Sequence, residues 1–240
     1  MSDAPHIVEV DRLDCRLVAH RWAYAEEAGE EMDRHWAERV AGNPTLYDGP
    51  VLLACRAEIV AEAGQRTLRL DAFETRFSHF LGWRDFSWRD TSVFNCFAMP
   101  AVRSSDGCYL LGEMGPGHSV AGYRYFPGGT PDPSDVIEGG VVDLEGSLVR
   151  ELLEETGLHA ADGAAAPGWS VIFDGQRIAC LKRLDWPAPA FEIRERVRAH
   201  IAQEAKPELS DAHMLAPGRH ADPRLPPFMT AFLAHATGWE

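Results

Sequence analysis

The sequence lacks the long apolar runs and the basic balance that two large classes of protein need. None of its 240 residues belongs to a stretch that approaches the roughly 20 apolar residues of a membrane helix. Lysine and arginine number 23 against 37 acidic residues, which gives a formal net charge of −14. The short apolar runs argue against a membrane span. Because a phosphate backbone is bound by a basic surface, we also do not expect a nucleic-acid polymer as partner.

Paired cysteines and the usual local catalytic signatures are also missing. The five cysteines are scattered and form no C-x-x-C pair, and the ten histidines show no H-E-x-x-H spacing. The first residues have no basic region followed by an apolar stretch, as a secretory signal would. We therefore expect a cytoplasmic protein with reduced thiols, and neither a disulfide frame nor a zinc site.

Strand and helix patterns alternate along the second part of the chain. Strands are predicted at 92–102, 108–114, 122–126, 169–175, 176–186 and 211–217, and helices at 144–156, 191–205 and 226–239. Asp143 is predicted to cap the start of the first of these helices, and Gly157 suits a left-handed cap at its end.

The first part of the chain has a different texture. One helix is predicted over 16–40, and a hairpin with strands at 51–60 and 67–74. The whole order predicts an α/β (α+β) fold class. We assign residues 91–240 to the main domain and residues 1–90 to an N-terminal extension packed on it.

The stretch RELLEETGL, residues 150–158, concentrates negative charge on a predicted helix. Glu151, Glu154 and Glu155 are spaced three and four apart, so their carboxylates can converge on one face. Carboxylates grouped in this way suit a hard cation such as Mg²⁺ or Mn²⁺. The alternative is an exposed amphipathic helix whose charged face meets solvent.

This stretch resembles the second half of the Nudix box, G-x5-E-x7-R-E-U-x-E-E-x-G-U, in which U is aliphatic. The fixed positions of that half are all present, as Arg150, Glu151, Leu152, Glu154, Glu155, Gly157 and Leu158. In the first half, Val136 and Val142 stand where the family has its leading glycine and glutamate. Gly128 and Gly129 resemble the Pro-Gly-Gly that precedes the box, which implies an insertion of about seven residues. A simple tight turn is the alternative for these two glycines.

The similarity extends beyond the box. Residues 36–53, 81–86 and 126–133 resemble the branch of Nudix hydrolases that includes UDP-glucose pyrophosphatases, which carry a similar extension. The resemblance implies an α/β/α sandwich around a mixed sheet. It also implies hydrolysis of a nucleoside diphosphate linked to another moiety, with a nucleotide sugar of the UDP-glucose or ADP-ribose type favoured as the small-molecule substrate.

The resemblance also assigns roles. Glu151, Glu154 and Glu155 would bind Mg²⁺ or Mn²⁺, with Arg150 as their orienting partner. Gly128 and Gly129 would let the backbone approach the diphosphate. A general base on a separate loop is a further expectation, for which Glu208 and Asp211 are the first candidates and Glu204 a weaker one, with an ordinary acidic loop as the alternative.

Two other functions remain open from the sequence alone. The displaced first half of the box favours a catalytically weak binding or regulatory module, whereas the complete second half favours an enzyme. A nucleoside triphosphate or a coenzyme such as NADH is another substrate class. The sequence does not decide whether the extension closes over the substrate or builds a homodimer.

Overall fold

The computed structural model describes residues 4–219 and 222–236. Its strands are β1 (His6–Val10), β2 (Arg12–Leu17), β3 (Pro50–Glu62), β4 (Gln65–Arg76), β5 (Asn95–Arg103), β6 (Tyr109–Met114), β7 (Arg124–Tyr125), β8 (Val136–Ile137), β9 (Val141–Val142), β10 (Ala164–Ala165), β11 (Trp169–Asp174), β12 (Arg177–Asp185) and β13 (Leu209–Leu215). Its helices are α1 (Ala23–Glu27), α2 (Gly29–Gly42), α3 (Phe77–Asp85), α4 (Leu144–Thr156), α5 (Ala190–Ile201) and α6 (Pro227–Ala236). No helix within the described residues is both long enough and apolar enough to span a bilayer.

The strands form two mixed sheets. The first has the order β1-β11-β12-β5-β6-β13, with β10 against β12 and β7 against β6. Its β5–β12 pair is parallel, and its other pairs are antiparallel. The second sheet has the order β3-β4-β2-β9-β8, in which β2 and β4 run parallel. Two mixed sheets with helices confirm the predicted α+β class.

The first sheet is the middle layer of the fold. Side chains alternate along its central strand, β5, and both faces of the sheet are covered. Phe97 and Met99 on β5 pack on one face against α6, through Phe228 and its neighbours. Cys96 and Ala98 point to the other face, where the second sheet and the start of α4 cover them. Helix α5 packs beside α4 on that same side. The layering therefore follows the α/β/α sandwich that the resemblance implied.

Residues before 90 contribute to both sheets. Strand β1 pairs antiparallel with β11 in the first sheet, and β2 pairs parallel with β4 in the second. Helices α1 to α3 surround a separate apolar cluster that includes Trp22, Met32, Phe73 and Trp83. The N-terminal part is thus tied to the rest by backbone hydrogen bonds as well as by side-chain packing.

The prediction of one helix over 16–40 was wrong at its start. Residues 12–17 form β2, in which Leu13 and Cys15 pack into the core shared by the two sheets. The helical region begins at Ala23 and is divided at Ala28 into α1 and α2. An alternating pattern of six residues is too short to separate a strand from a helix start by periodicity alone.

Most other predicted elements are found with shifted ends. The predicted hairpin is β3–β4, and α3 forms in the aromatic-rich stretch after it, for which no element was predicted. Helix α5 ends at Ile201 instead of 205. The final helix is described to Ala236, so its predicted residues 237–239 lie outside the described part. Strands β8 and β9 were not predicted, because two-residue strands carry no periodic signal.

Helix α3 depends on a carboxylate that is distant in sequence. Its own N-cap residue, Arg76, provides no side-chain cap. Instead, the Ser78 backbone N–H donates to Asp48 Oδ1 at 2.7 Å, and Arg76 Nε donates to Asp48 Oδ2 at 2.9 Å. Asp48 therefore attaches the start of α3 to the loop before β3.

We expect Asp48→Ala to lower the free energy of unfolding by about 1–2 kcal/mol, because a buried helix N–H loses its acceptor. Urea denaturation monitored by circular dichroism measures this change. Asp33→Ala is the matched control, since Asp33 is exposed and reaches Arg76 only at 3.5 Å. Equal effects of the two substitutions would contradict the assigned capping role.

Candidate active site

Both ends of α4 are fixed by the predicted caps. Asp143 Oδ1 accepts a hydrogen bond from the Gly146 N–H at 2.9 Å, and the Gly157 N–H donates to Leu153 O at 2.9 Å. Gly157 has φ +67°, a left-handed conformation that favours glycine. A Cβ there would also lie 2.7 Å from Nδ1 of His200. The sequence therefore sets the length of this helix at both ends.

One face of α4 lines a cavity of about 310 Å³, which we call the acidic cleft. Its lining consists of Arg150, Glu151, Glu154, Glu155, Glu204, Lys206 and Glu208. Five carboxylates and two positively charged side chains, those of Arg150 and Lys206, therefore line one small cavity. The structure brings Glu208, from the loop before β13, to the same cleft as the three helical glutamates.

Glu155 is the most buried member of the cleft. The residue is only 5% exposed, and its Oε1 accepts a hydrogen bond from the Gly128 N–H at 2.9 Å. Oε2 is buried, and the described residues give it no hydrogen-bond partner. Burial raises the pKa of this carboxyl well above its usual range, although the Gly128 N–H opposes the shift. A buried oxygen without a donor is a position that a cation can fill.

The carboxyl group of Glu151 on α4 lies against the segment formed by Gly128 and Gly129. Burial raises the pKa of its carboxyl to about 7, while the positive charge of Arg150 acts in the opposite direction. A Cβ on Gly129 would lie 3.0 Å from Glu151 Oε1. Gly129 therefore lies against this carboxylate in space that a side chain would have to share, whereas a Cβ on Gly128 would lie 2.8 Å from Met99 Cγ and 3.0 Å from the Ala98 carbonyl oxygen.

Arg150 is anchored by a residue that the sequence analysis missed. Its Nη2 donates to Asp135 Oδ1 at 3.1 Å, and its Nη1 donates to Glu151 Oε1 at 2.8 Å and Glu154 Oε2 at 3.1 Å. Asp135 has 6% exposure and also accepts a hydrogen bond from Ser147 Oγ at 3.1 Å. The capping box at Asp132–Asp135, an acidic residue three positions after a capping aspartate, is the sequence signal that could have marked it.

The two candidate bases have different surroundings. The crowded cleft removes water from the Glu208 carboxyl and, with the charges of Glu154 and Glu204, raises its pKa, although the side chain still reaches solvent. Asp211 does not line the cleft. It accepts hydrogen bonds from Arg198 Nε at 2.7 Å and Nη2 at 2.9 Å, and these bonds hold the pKa of Asp211 low. Of these two candidates the geometry places Glu208 with the helical glutamates, and Glu204 lines the same cleft.

The donor chemistry of the cleft fits a hard divalent cation. Among residues 4–219 and 222–236, no three His, Cys, Asp or Glu side chains stand close enough together to hold a metal ion as arranged. Arg150 holds Glu151 and Glu154 with its guanidinium group. Glu155 Oε2 nevertheless remains without a partner. Carboxylate oxygens of this kind are the ligands that Mg²⁺ and Mn²⁺ take in proteins.

Comparison with known proteins gives similarity at the level of structure. No family model and no curated protein matches the chain. The fold is similar to that of the MutT protein from Methanosarcina mazei Go1, with 18% identity over 59% of this chain and 91% of that chain, at a TM-score of 0.40. RenU, a Nudix hydrolase from M. smegmatis, has 19% identity over 60% of this chain and 84% of its own, at a TM-score of 0.37.

The Nudix domain of Shewanella oneidensis NrtR, solved in complex with ADP ribose, is a third similar structure. It has 15% identity over 51% of this chain and 73% of its own, at a TM-score of 0.35. The structures to which this fold is similar thus include Nudix proteins. The roles of individual residues in this chain depend on its own geometry.

We expect Asp135→Asn to lower the free energy of unfolding by about 1–3 kcal/mol, because a partly buried guanidinium group loses its buried counter-charge. Thermal and urea denaturation of the metal-free protein measure the change. Glu138→Gln removes an exposed carboxylate three residues away and serves as the control. If the two variants unfold alike, the Asp135–Arg150 pair contributes nothing to the site's rigidity.

Proposed function

We propose that the protein catalyses the Mg²⁺- or Mn²⁺-dependent hydrolysis of the pyrophosphate bond of a nucleoside diphosphate linked to another moiety. A nucleotide sugar of the UDP-glucose or ADP-ribose type is the favoured substrate. The observation that carries the proposal is the acidic cleft, in which Glu155 accepts from the Gly128 N–H with one oxygen while its other, buried oxygen has no donor among the described residues. A soluble cytoplasmic location and a homodimer stay predictions.

The cation would be held by Glu151, Glu154 and Glu155, and would neutralise charge on the diphosphate and lower the pKa of a bound water. This requirement agrees with the net charge of −14, since an acidic protein repels a free diphosphate. The chain itself supplies the positioning. Arg150, held by buried Asp135, fixes the directions of Glu151 and Glu154.

Proton transfer from the attacking water requires a base within the cleft. Glu208 is the candidate that the geometry favours, because it lines the cleft and its pKa is raised above that of a free glutamate. A raised pKa makes a carboxylate a stronger base towards a water proton. Asp211 is less suitable, since Arg198 occupies both of its oxygens.

A binding or regulatory module remains the second candidate. Its support is that, among the described residues, the carboxylates are not gathered into a three-ligand group and Arg150 occupies two of them. In that case the guanidinium group would act as a permanent replacement for a metal. A measurement of turnover separates this function from the first.

We expect the protein with Mg²⁺ to release a nucleoside monophosphate from at least one member of a panel of nucleotide sugars, NADH and nucleoside triphosphates. Glu154→Gln and Glu155→Gln should lower this rate on the order of 100-fold or more, because each removes a charged metal ligand. Glu145→Gln, in the exposed first turn of the same helix, is the matched control. Anion-exchange chromatography of the products follows the reaction.

The stability of the same variants provides a second readout. Glu155→Gln should not lower the free energy of unfolding without metal, since the buried carboxyl that it replaces has a single hydrogen-bond donor among the described residues. Full activity in both glutamine variants would refute the catalytic assignment. Tight binding of a nucleotide sugar by the wild type, with no product formed, would instead establish the binding module.

A further inference from the structure

A second cavity, of about 270 Å³, reaches the two glycines that contact the acidic cleft. We call it the aromatic pocket, and its main walls are Phe80, Arg84, Trp88, Tyr125, Arg177 and Phe228. Phe80, Arg84 and Trp88 come from the N-terminal part of the chain, in or just after α3. The others come from β7, β12 and α6. The pocket is therefore built from both ends of the sequence.

One backbone segment separates this pocket from the carboxylates. Gly128 and Gly129 line the pocket, while the Gly128 N–H donates to Glu155 and Gly129 lies against Glu151. A group attached to a diphosphate in the acidic cleft would need to cross only these two residues to enter the pocket. The pocket is therefore better placed to bind the organic group of the substrate than the reacting phosphates, which would lie in the acidic cleft.

Two guanidinium groups face this mainly apolar space. Arg177 Nη2 lies 2.7 Å from Asp174, whereas its Nε is buried and has no partner among the described residues. Arg84 donates from Nε to Asp85 Oδ1 at 3.0 Å and from Nη1 to Ser119 Oγ at 3.1 Å. Burial raises the pKa of the Tyr125 hydroxyl, and the charges of Arg177 and Arg84 both oppose that shift. The two arginines therefore act on the same point of the pocket.

The aromatic wall is held by a strained turn. Ser87 and Trp88 have φ of +62° and +57°, which residues other than glycine rarely adopt. The Trp88 N–H donates to Trp83 O at 3.0 Å, and its ring packs edge-on against Trp83 at 4.5 Å. The Arg177 guanidinium carbon lies 5.9 Å from the Trp88 ring. Such conformations persist where the surrounding structure enforces them, and here they place an indole in the pocket wall.

We propose that the aromatic pocket binds the nucleobase of the substrate, and that Arg84 is a specificity-determining residue for it. This inference rests on the proposed function, which it extends from the diphosphate to the base. Aromatic walls accept the face of a planar ring, and guanidinium N–H groups donate to carbonyl oxygens and ring nitrogens. A sugar lacks the planar face, and a cationic ring would be repelled by two arginines.

Free nucleosides test the pocket without phosphate, metal or catalysis. Isothermal titration of the full chain in EDTA should show that uridine, cytidine, adenosine or guanosine binds at least tenfold more tightly than ribose. Arg84→Gln should weaken binding of the preferred nucleoside about tenfold, since it removes charge-assisted hydrogen bonds. Ribose binding should not change.

Arg39→Gln is the matched control. Arg39 also reaches Asp85, at 3.8 Å, and the Ser119 carbonyl, at 3.5 Å, but it does not line the pocket. Nucleoside affinity in this variant should stay within about twofold of the wild type. If Arg84→Gln loses thermal stability, Arg84→Lys keeps the charge beside Asp85 and should still weaken binding, because an ammonium cannot reproduce the guanidinium fork.

Two results would overturn the pocket assignment. One is that no nucleoside binds more tightly than ribose, and the other is that Arg84→Gln and Arg39→Gln bind alike. Either result, in a protein that hydrolyses a nucleotide sugar, would leave the proposed function standing. Nucleoside binding that depends on Arg84, in a protein without turnover on any substrate, would support the pocket and refute the hydrolase.

Discussion

The burial of the Glu155 carboxylate is the constraint around which the candidate site is built. An ionised carboxylate removed from water is costly unless donors or a cation replace the lost hydration. Here one backbone N–H, from Gly128, replaces part of it, and the second oxygen has no hydrogen-bond partner among the residues that the structure describes. A helix selected only for stability would not keep a glutamate at this position. The surrounding structure must therefore hold the glycine segment against α4 without closing the space beside the free oxygen.

Arg150 and Asp135 solve the related problem of keeping several carboxylates together. Glu151 and Glu154 would repel each other on one helix face, and Arg150 lies between them with hydrogen bonds to both. Asp135 fixes the arginine from a short turn that is itself fixed by a capping box. The positive charge is thus placed by the fold, and it keeps the carboxylates of the acidic cleft together.

The sequence predicted α4 and both of its caps well because their signals are local. Asp143, Gly157 and the three-and-four spacing of the glutamates all lie within one short stretch, and each acts through its neighbours on the same helix. Asp135 was missed because its partner, Arg150, is reached through β8 and β9, two-residue strands that no periodicity reveals. Tertiary contacts of this kind become visible only when the chain is folded.

The contrast between Glu208 and Asp211 shows the same limit on a smaller scale. The two acids lie three positions apart, and the sequence offered no reason to prefer either. Strand β13 begins at Leu209, so Glu208 remains in the loop that meets α4, while Asp211 follows the strand towards Arg198 on α5. The start of β13 therefore separates Glu208, which lines the cleft, from Asp211, which forms an ion pair with Arg198 on α5.

The attachment of the N-terminal part to both sheets also bears on the candidate site. Residues before 90 place β1 on the edge of the first sheet and β2 in the second, so they cannot be removed without exposing sheet edges. That attachment also fixes α3, whose Arg84 lines the aromatic pocket together with Arg177. A loosely tethered extension could cover a substrate but could not hold a side chain to the fraction of an ångström that selective hydrogen bonding requires. Pairing its strands with both sheets gives the N-terminal part that rigidity.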